Sequence, residues 1–222
     1  MVTNTLDDGS PGSLRSAIDL ANADPDLTTI TFASGVTGTI TLTTGPLVVY
    51  SALDIVGPGA GVLRVDAGGQ SSVFVFYGDA YDGSSTISDI TISGAAPVSF
   101  QVPSESGGRI FGDDAHLTVD SVVVEQNTAF LGGGVLLVGG DVQFVATDSI
   151  IRDNLVDDDV VLGGGGIALV AFPSSGPPGP APTESSVTLI DSTVSGNTTS
   201  GAGGVVVTTI GRRRRRKGLR TT

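Results

Sequence analysis

Cysteine and tryptophan are absent from this sequence, histidine occurs once, at His116, and aromatic residues make up only 5%. Without cysteine there is no disulfide framework, no thiolate zinc site and no cysteine nucleophile. A single histidine excludes a multi-histidine metal centre within one chain. No apolar run reaches the roughly 18 residues of a transmembrane helix. Basic residues are scarce over most of the length. Seven of the eleven lie at the end, as five arginines at 212–216, Lys217 and Arg220, so the rest of the chain holds four bases against 23 acids, a balance of −19. A body this acidic lacks the basic stripe that nucleic acid or an anionic membrane needs, and neither is expected as a partner. It is compatible with cation binding and with an exposed extracellular surface.

What is abundant is glycine (33 residues), together with Thr, Ser and Val. That mixture suits many short strands joined by tight turns. One helix is expected, over residues 13–22. Leu14, Ala17, Ile18 and Ala21 fall at i, i+3, i+4 and i+7, the apolar stripe of an amphipathic helix. Ser13, or Ser10 with Pro11 at the first helical position, supplies the N-cap, and Asp24-Pro25 ends the helix. Arg15 and Asp19, four apart, are expected to pair on its exposed side, worth about 0.3 kcal/mol. From Thr28 onward the period becomes two. Thr29-Ile30-Thr31-Phe32 and Thr39-Ile40-Thr41-Leu42 alternate strictly, and strands are expected at 47–50, 53–56, 62–65 and 73–77 between Gly/Pro turns.

Strands every ten residues or so would also suit a β-sandwich. A longer repeat over residues 86–210 decides against it. Asp120-Ser121 with Asn127 and Gly132-Gly133-Gly134 is followed by Asp148-Ser149 with Asn154 and glycines at 163–166. Then comes Asp191-Ser192 with Asn197 and Gly203-Gly204. The interval from Asp148 to Asp191 is longer than that from Asp120 to Asp148, and it contains a proline-rich insertion at 172–183 that cannot be regular strand. A repeat that absorbs a lateral loop and keeps its phase is a solenoid. The expected fold is all-β: a parallel β-helix whose coils stack about 4.8 Å apart. Asn127, Asn154 and Asn197 should form an amide ladder at one corner. A ladder role outweighs the glycosylation sequon at Asn197-Thr198-Thr199. Glycine runs mark corners needing positive φ or close backbone approach.

An open end of such a stack exposes apolar core and strand edges, so it needs a cap. The expected organisation is therefore an N-terminal cap with the helix at 1–27, rungs at 28–210, and a basic disordered tail at 211–222. Nothing like a C-terminal cap is read after Ile210, which suggests a fragment, a frameshifted reading or a partner that covers the end.

Gly12-Ser13-Leu14-Arg15-Ser16-Ala17-Ile18, preceded by Asn4-Thr5-Leu6-Asp7-Asp8-Gly9 and followed by Ala21-Asn22, resembles a known opening motif. It is that of bacterial right-handed parallel β-helix proteins with a Cys-Ser-Leu-Arg-Glu-Ala signature. Gly12 and Ser16 stand where that signature has Cys and Glu. Leu53-Asp54-Ile55-Val56-Gly57-Pro58-Gly59-Ala60 is similar too, and Ser192-Thr193-Val194-Ser195-Gly196-Asn197-Thr198 resembles repeats of polymorphic outer-membrane proteins. The resemblance covers about residues 2–210. It implies right-handed winding and a secreted or cell-surface protein whose export signal and anchor lie outside this sequence. It transfers no catalytic residues.

Function reads as a non-catalytic, adhesin-like or stalk-like module whose outward Thr, Ser and Asp rows contact polysaccharide or surface proteins. The alternative is a polysaccharide lyase or glycoside hydrolase of the pectin-degrading β-helix type, which needs carboxylates converging on neighbouring rungs. The candidates are Asp113 and Asp114, with Arg109 before them and His116 after, together with Asp141. Asp141 follows Asp113 by the same interval that separates Asp148 from Asp120, so the two are expected to share a corner. Ordinary turn chemistry is the favoured reading of these aspartates, by about four to one for Asp113 and Asp114. Asp157, Asp158 and Asp159 are the Ca²⁺ candidates, although a solvated acidic loop is preferred. No other cofactor is expected.

Overall fold

The computed structural model describes residues 1–24, 28–78, 83–96, 110–157, 164–171, 185–199 and 203–209. Helix α1 spans Leu14–Ala23, and six coils follow it among the described residues. The first coil is β1 (Thr29–Thr31), β2 (Gly38–Thr41) and β3 (Leu47–Val49). The second is β4 (Asp54–Val56), β5 (Leu63–Asp66) and β6 (Phe74–Tyr77), and the third β7 (Ser84–Ser88), β8 (Thr91–Ser93) and β9 (Ile110–Asp113). The fourth is β10 (His116–Asp120), β11 (Val123–Glu125), β12 (Thr128–Ala129) and β13 (Val135–Gly139). The fifth is β14 (Gln143–Thr147), β15 (Ile150–Arg152), β16 (Leu155–Val156) and β17 (Ile167–Ala171). The sixth is β18 (Ser186–Ile190), β19 (Thr193–Ser195) and β20 (Val205–Thr209).

Corresponding strands stack into three walls of six, all parallel. The first wall is β1-β4-β7-β10-β14-β18, the second β2-β5-β8-β11-β15-β19, and the third β3-β6-β9-β13-β17-β20. This is a parallel β-helix, as the repeat predicts. In-register stacking turns each inward position into a column. Ile30, Ile55, Ile87, Val119 and Ala146 form one, all at most 1% exposed, and Leu47, Phe74, Ile110, Val135 and Ile167 form another. The third wall is apolar on its outer face as well. Val75, Phe111, Leu136, Ala168 and Val170 make a second buried cluster there, separate from the main core.

In coils three to six, two corners are each made by one residue in the left-handed region. Between the first and second walls it is Asp89, Ser121, Asp148 or Asp191, with φ of 56°, 55°, 47° and 48°. After the second wall it is Gly94, Gln126, Asp153 or Gly196, with φ from 54° to 73°. Asp tolerates this conformation through local side-chain hydrogen bonds, which is why the sequence repeats an Asp at the bend. The register corrects one detail of the spacing. Asp120 pairs with Thr147 as the last residue of β10, so Ser121, not Asp120, is the counterpart of Asp148. The coil is then one residue shorter than the Asp-to-Asp spacing implied, and it matches the interval from Asn127 to Asn154. The longer coil keeps phase, since Asp191 occupies the same corner. The proline-rich stretch within it lies outside the described residues, as do the segments at 79–82 and 210–222.

The amide ladder forms. Asn127 Nδ2 donates to Asn154 Oδ1 at 2.8 Å and Asn154 Nδ2 to Asn197 Oδ1 at 2.9 Å. The same nitrogens donate to Ile92 O and Val124 O on the preceding coils. Beside it runs a hydroxyl ladder, in which Val122 N donates to Ser149 Oγ and Ser149 N to Ser192 Oγ, both at 3.1 Å. The glycine runs stack on one another. A Cβ at Gly134 would lie 2.6 Å from Gly166 O and one at Gly165 2.7 Å from Gly203 O, so close approach rather than φ excludes side chains there.

Helix α1 closes the N-terminal end of the stack. Leu14, Ile18 and Ala21 are buried against the first coil and Ser13 is the N-cap, its Oγ accepting from Ser16 N. Val2 adds a parallel bridge to Phe32, covering part of the first edge. The side chain of Asn22 acts as a missing neighbour strand, donating to Val48 O and accepting from Tyr50 N, both at 2.8 Å. Arg15 departs from the expected pairing with Asp19. Its guanidinium instead grips Asp7, Nε to Oδ1 at 2.8 Å, and donates to Pro46 O and Gly45 O. Asp7 Oδ2 also accepts from the backbone of Thr43 at 2.6 Å and of Thr44 at 3.3 Å. The Asp7 carboxylate, its side chain 2% exposed, joins the N-terminal loop, the helix and the first coil.

Burial opposes the charge of Asp7, but bonds from Arg15, Thr43 and Thr44 outweigh it and hold its carboxyl below the ordinary value. A depressed carboxyl pKa contributes stability that is complete above the unfolded value. That stability drains away as pH falls from near 4 through the depressed folded value. Asp7→Asn, which leaves Arg15 without its counter-charge, should cost roughly 3 kcal/mol in urea unfolding at pH 7. The loss should shrink as pH falls from near 4 through the depressed folded value and the wild type protonates. Asp19→Asn, at an exposed position, should stay within about 0.5 kcal/mol of wild type.

Candidate functional site

The acids singled out in the sequence gather where the third wall hands over to the first. Asp113 ends β9 and lies in register with Tyr77 on the coil before and Val138 on the coil after. Asp114 takes the left-handed conformation at the corner, φ 48°. Because His116 pairs with Gln143, the residue that matches Asp141 one coil earlier is Asp114. Asp113 sits one position off. The expected sharing of a corner is therefore real, but by Asp114 rather than Asp113.

Asp114 is committed to the fold. Its Oδ1 accepts from Gly140 N and, at 3.3 Å, from Asp141 N, so it anchors the turn of the coil above. Asp141 is freer. Its side chain is 41% exposed, and His116 Nε2 approaches Oδ1 at 3.4 Å. That approach lacks hydrogen-bond geometry, which leaves Oδ1 buried without a donor among the described residues. Two coils earlier, Tyr50 and Tyr77 stack at the end of the third wall with centroids 5.4 Å apart and planes 9° from parallel. The corner thus offers a half-exposed His–Asp contact, suited to hydrogen bonding with a hydroxylated ligand. Arg109 lies outside the described residues, so its relation to these acids is not part of the geometry.

For calcium the candidates divide. Asp157 is exposed, with its backbone N bonded to Ala129 O, whereas Asp158 and Asp159 lie outside the described residues. Among the described residues no three His, Asp or Glu side chains are grouped to hold a metal ion. No described helix is long and apolar enough to cross a membrane.

Sequence reasoning missed the strongest charged cluster. On the outer face of the second wall, Glu125 is 6% exposed and bonded from both sides. Arg64 Nη2 reaches its Oε1 at 2.7 Å from two coils away, across Thr91 and Ser93. Arg152 Nη2 and Nε reach Oε2 at 2.7 and 2.9 Å from the next coil. The triad staples coils two to five. Burial would raise the Glu125 pKa, but the two guanidiniums outweigh it and lower it. All three described arginines are consumed by internal pairs, which leaves the acids as the unpaired surface charges of most described coils.

The first wall carries the open face. Its outward columns run Thr29, Asp54, Thr86, Thr118, Val145, Thr188 and Thr31, Val56, Ser88, Asp120, Thr147, Ile190, all exposed or half-exposed. No protein-family model, curated protein or solved structure matches this chain.

Glu125→Gln should destabilise by about 2 kcal/mol, a figure below the usual cost of breaking a buried pair because both arginines are partly exposed. Asn154→Ala, mid-ladder and 1% exposed, should cost about 3 kcal/mol, since it strands partners on both neighbouring coils. Thermal or urea unfolding checks both.

Proposed function

We propose that this chain is a non-catalytic binding module of the secreted or cell-surface type, adhesin-like or stalk-like, that presents its first wall to glycan or protein ligands. The observation that supports it most directly is the pair of outward columns on a regular wall, with Thr, Ser or Asp at all positions but Val145, Val56 and Ile190. Such a face gives hydroxyl and carboxylate acceptors at coil spacing, about 4.8 Å, on a rigid scaffold that costs little entropy to engage. The surface location and the right-handed winding rest on the resemblance of the opening motif to Cys-Ser-Leu-Arg-Glu-Ala-type β-helix proteins. Asp114, one of the catalytic candidates, accepts backbone bonds in a turn, which agrees with a structural role.

A second reading, a polysaccharide lyase or hydrolase, is favoured by one observation: Asp141 keeps a half-exposed carboxylate beside His116. Glycan-array binding by the purified protein, lost in a Thr86→Arg/Thr118→Arg/Thr188→Arg variant of unchanged melting temperature, is the expected outcome. The same samples are incubated with neutral and acidic polysaccharides, with and without Ca²⁺. Turnover that disappears in Asp141→Asn would replace the binding reading with the enzymatic one.

A further inference from the structure

The last described coil differs from those beneath it although it continues their columns. Ile87, Val119 and Ala146 are 0% exposed, but Leu189 above them is 40% exposed. Val135 and Ile167 lead to Val205 at 38%, and Leu137 and Leu169 lead to Val207 at 52%. The polar ladders break off at the same level. Asn127 and Asn154 each donate twice through Nδ2, once back to a carbonyl and once forward to the next Asn Oδ1. Asn197 makes only the backward bond, to Ile151 O at 2.9 Å. Asn154 N donates to Asn197 Oδ1, and Ser149 N to Ser192 Oγ. The equivalent backbone N–H groups of Asn197 and Ser192 have no acceptor among the described residues.

These unmet groups specify what would satisfy them. In coils five and six the Ser and the Asn keep one spacing, Ser149 to Asn154 and Ser192 to Asn197. A further strand running parallel to β19 with that spacing places its Ser hydroxyl at Ser192 N and its Asn Oδ1 at Asn197 N and Nδ2. Its own amide then reaches Val194 O, as Asn197 reaches Ile151 O. Apolar residues at the alternate positions would continue the column of Val194, and a first-wall stretch preceding the Ser would cover Leu189. We infer that this end is a strand-addition site for a β-solenoid segment carrying Ser-x4-Asn with alternating apolar residues, continuous with the existing coil-to-coil interface. Residues 210–222 contain neither Ser nor Asn and only two aliphatic side chains, Ile210 and Leu219, so their sequence does not carry this pattern. The N-terminal end, closed by α1 and the Asp7–Arg15 pair, offers no such template. This inference is independent of the ligand proposed for the first wall.

A fluorescent peptide with the sequence of residues 144–156, which contains Ser149 and Asn154, is titrated with the folded full chain and followed by anisotropy. Hydrogen exchange locates the contact. Saturable binding that slows exchange at Ser192 and Asn197 is expected, with a peptide carrying Ser149→Ala and Asn154→Ala weaker by about tenfold or more. A Leu189→Lys chain of unchanged circular dichroism should also bind more weakly, since Leu189 is the exposed core position that Ala146 of the peptide matches. Equal binding of the two peptides would reduce the site to general apolar adhesion and overturn the inference. So would absence of binding, protection elsewhere, a discrete dimer whose interface excludes the peptide, or binding gained only when residues 210–222 are deleted.

Discussion

A single coil of this chain cannot satisfy itself. The strands of its three walls are short, and in a flat coil every backbone bond of the ladder must be made to the coil above or below. Stacking therefore supplies the hydrogen bonds and the apolar burial together, and parallel register makes identical positions superimpose. Everything else follows from that superposition: inward Val, Ile and Leu become columns, Asn becomes a ladder, and glycine appears where stacked backbones leave no room for Cβ.

The same constraint makes the ends the costly places. At the N-terminal end the chain uses four devices: the apolar face of α1, the Val2 bridge, the Asn22 amide that stands in for a strand, and the Asp7 carboxylate that binds them to the first coil. Among the described residues nothing comparable meets the sixth coil, and the core columns and ladders break off there with their donors unmet. An acidic exterior is tolerable in this architecture because the described arginines are spent on internal staples, one at the cap and two across the second wall.

Legibility in the sequence tracked locality and periodicity. The ladder asparagines Asn127, Asn154 and Asn197 were readable because they recur once per repeat and a ladder needs one identical amide per coil. The helix was readable from the apolar stripe of Leu14, Ala17, Ile18 and Ala21. The Asp-Ser phase was misread by one, because the dipeptide at Asp120-Ser121 looks like the others while the bend falls on whichever residue takes positive φ. The same one-residue slip moved the partner of Asp141 from Asp113 to Asp114. Arg15 was assigned a neighbour on its own helix, whereas the buried loop carboxylate offered desolvated, bidentate geometry that an exposed i+4 pair lacks.

By itself the sequence determined the class of fold, the approximate length of a coil, the presence of an N-terminal cap and the polarity of each face, because these depend on local period and on composition. Only the tertiary structure decided the Arg64–Glu125–Arg152 triad, whose members come from three different coils, and the Asp7–Arg15 closure. It also decided which acids meet at the corner and which donors the last coil leaves open. Those depend on register, and a shift of one residue in a parallel stack exchanges inward for outward and partner for stranger.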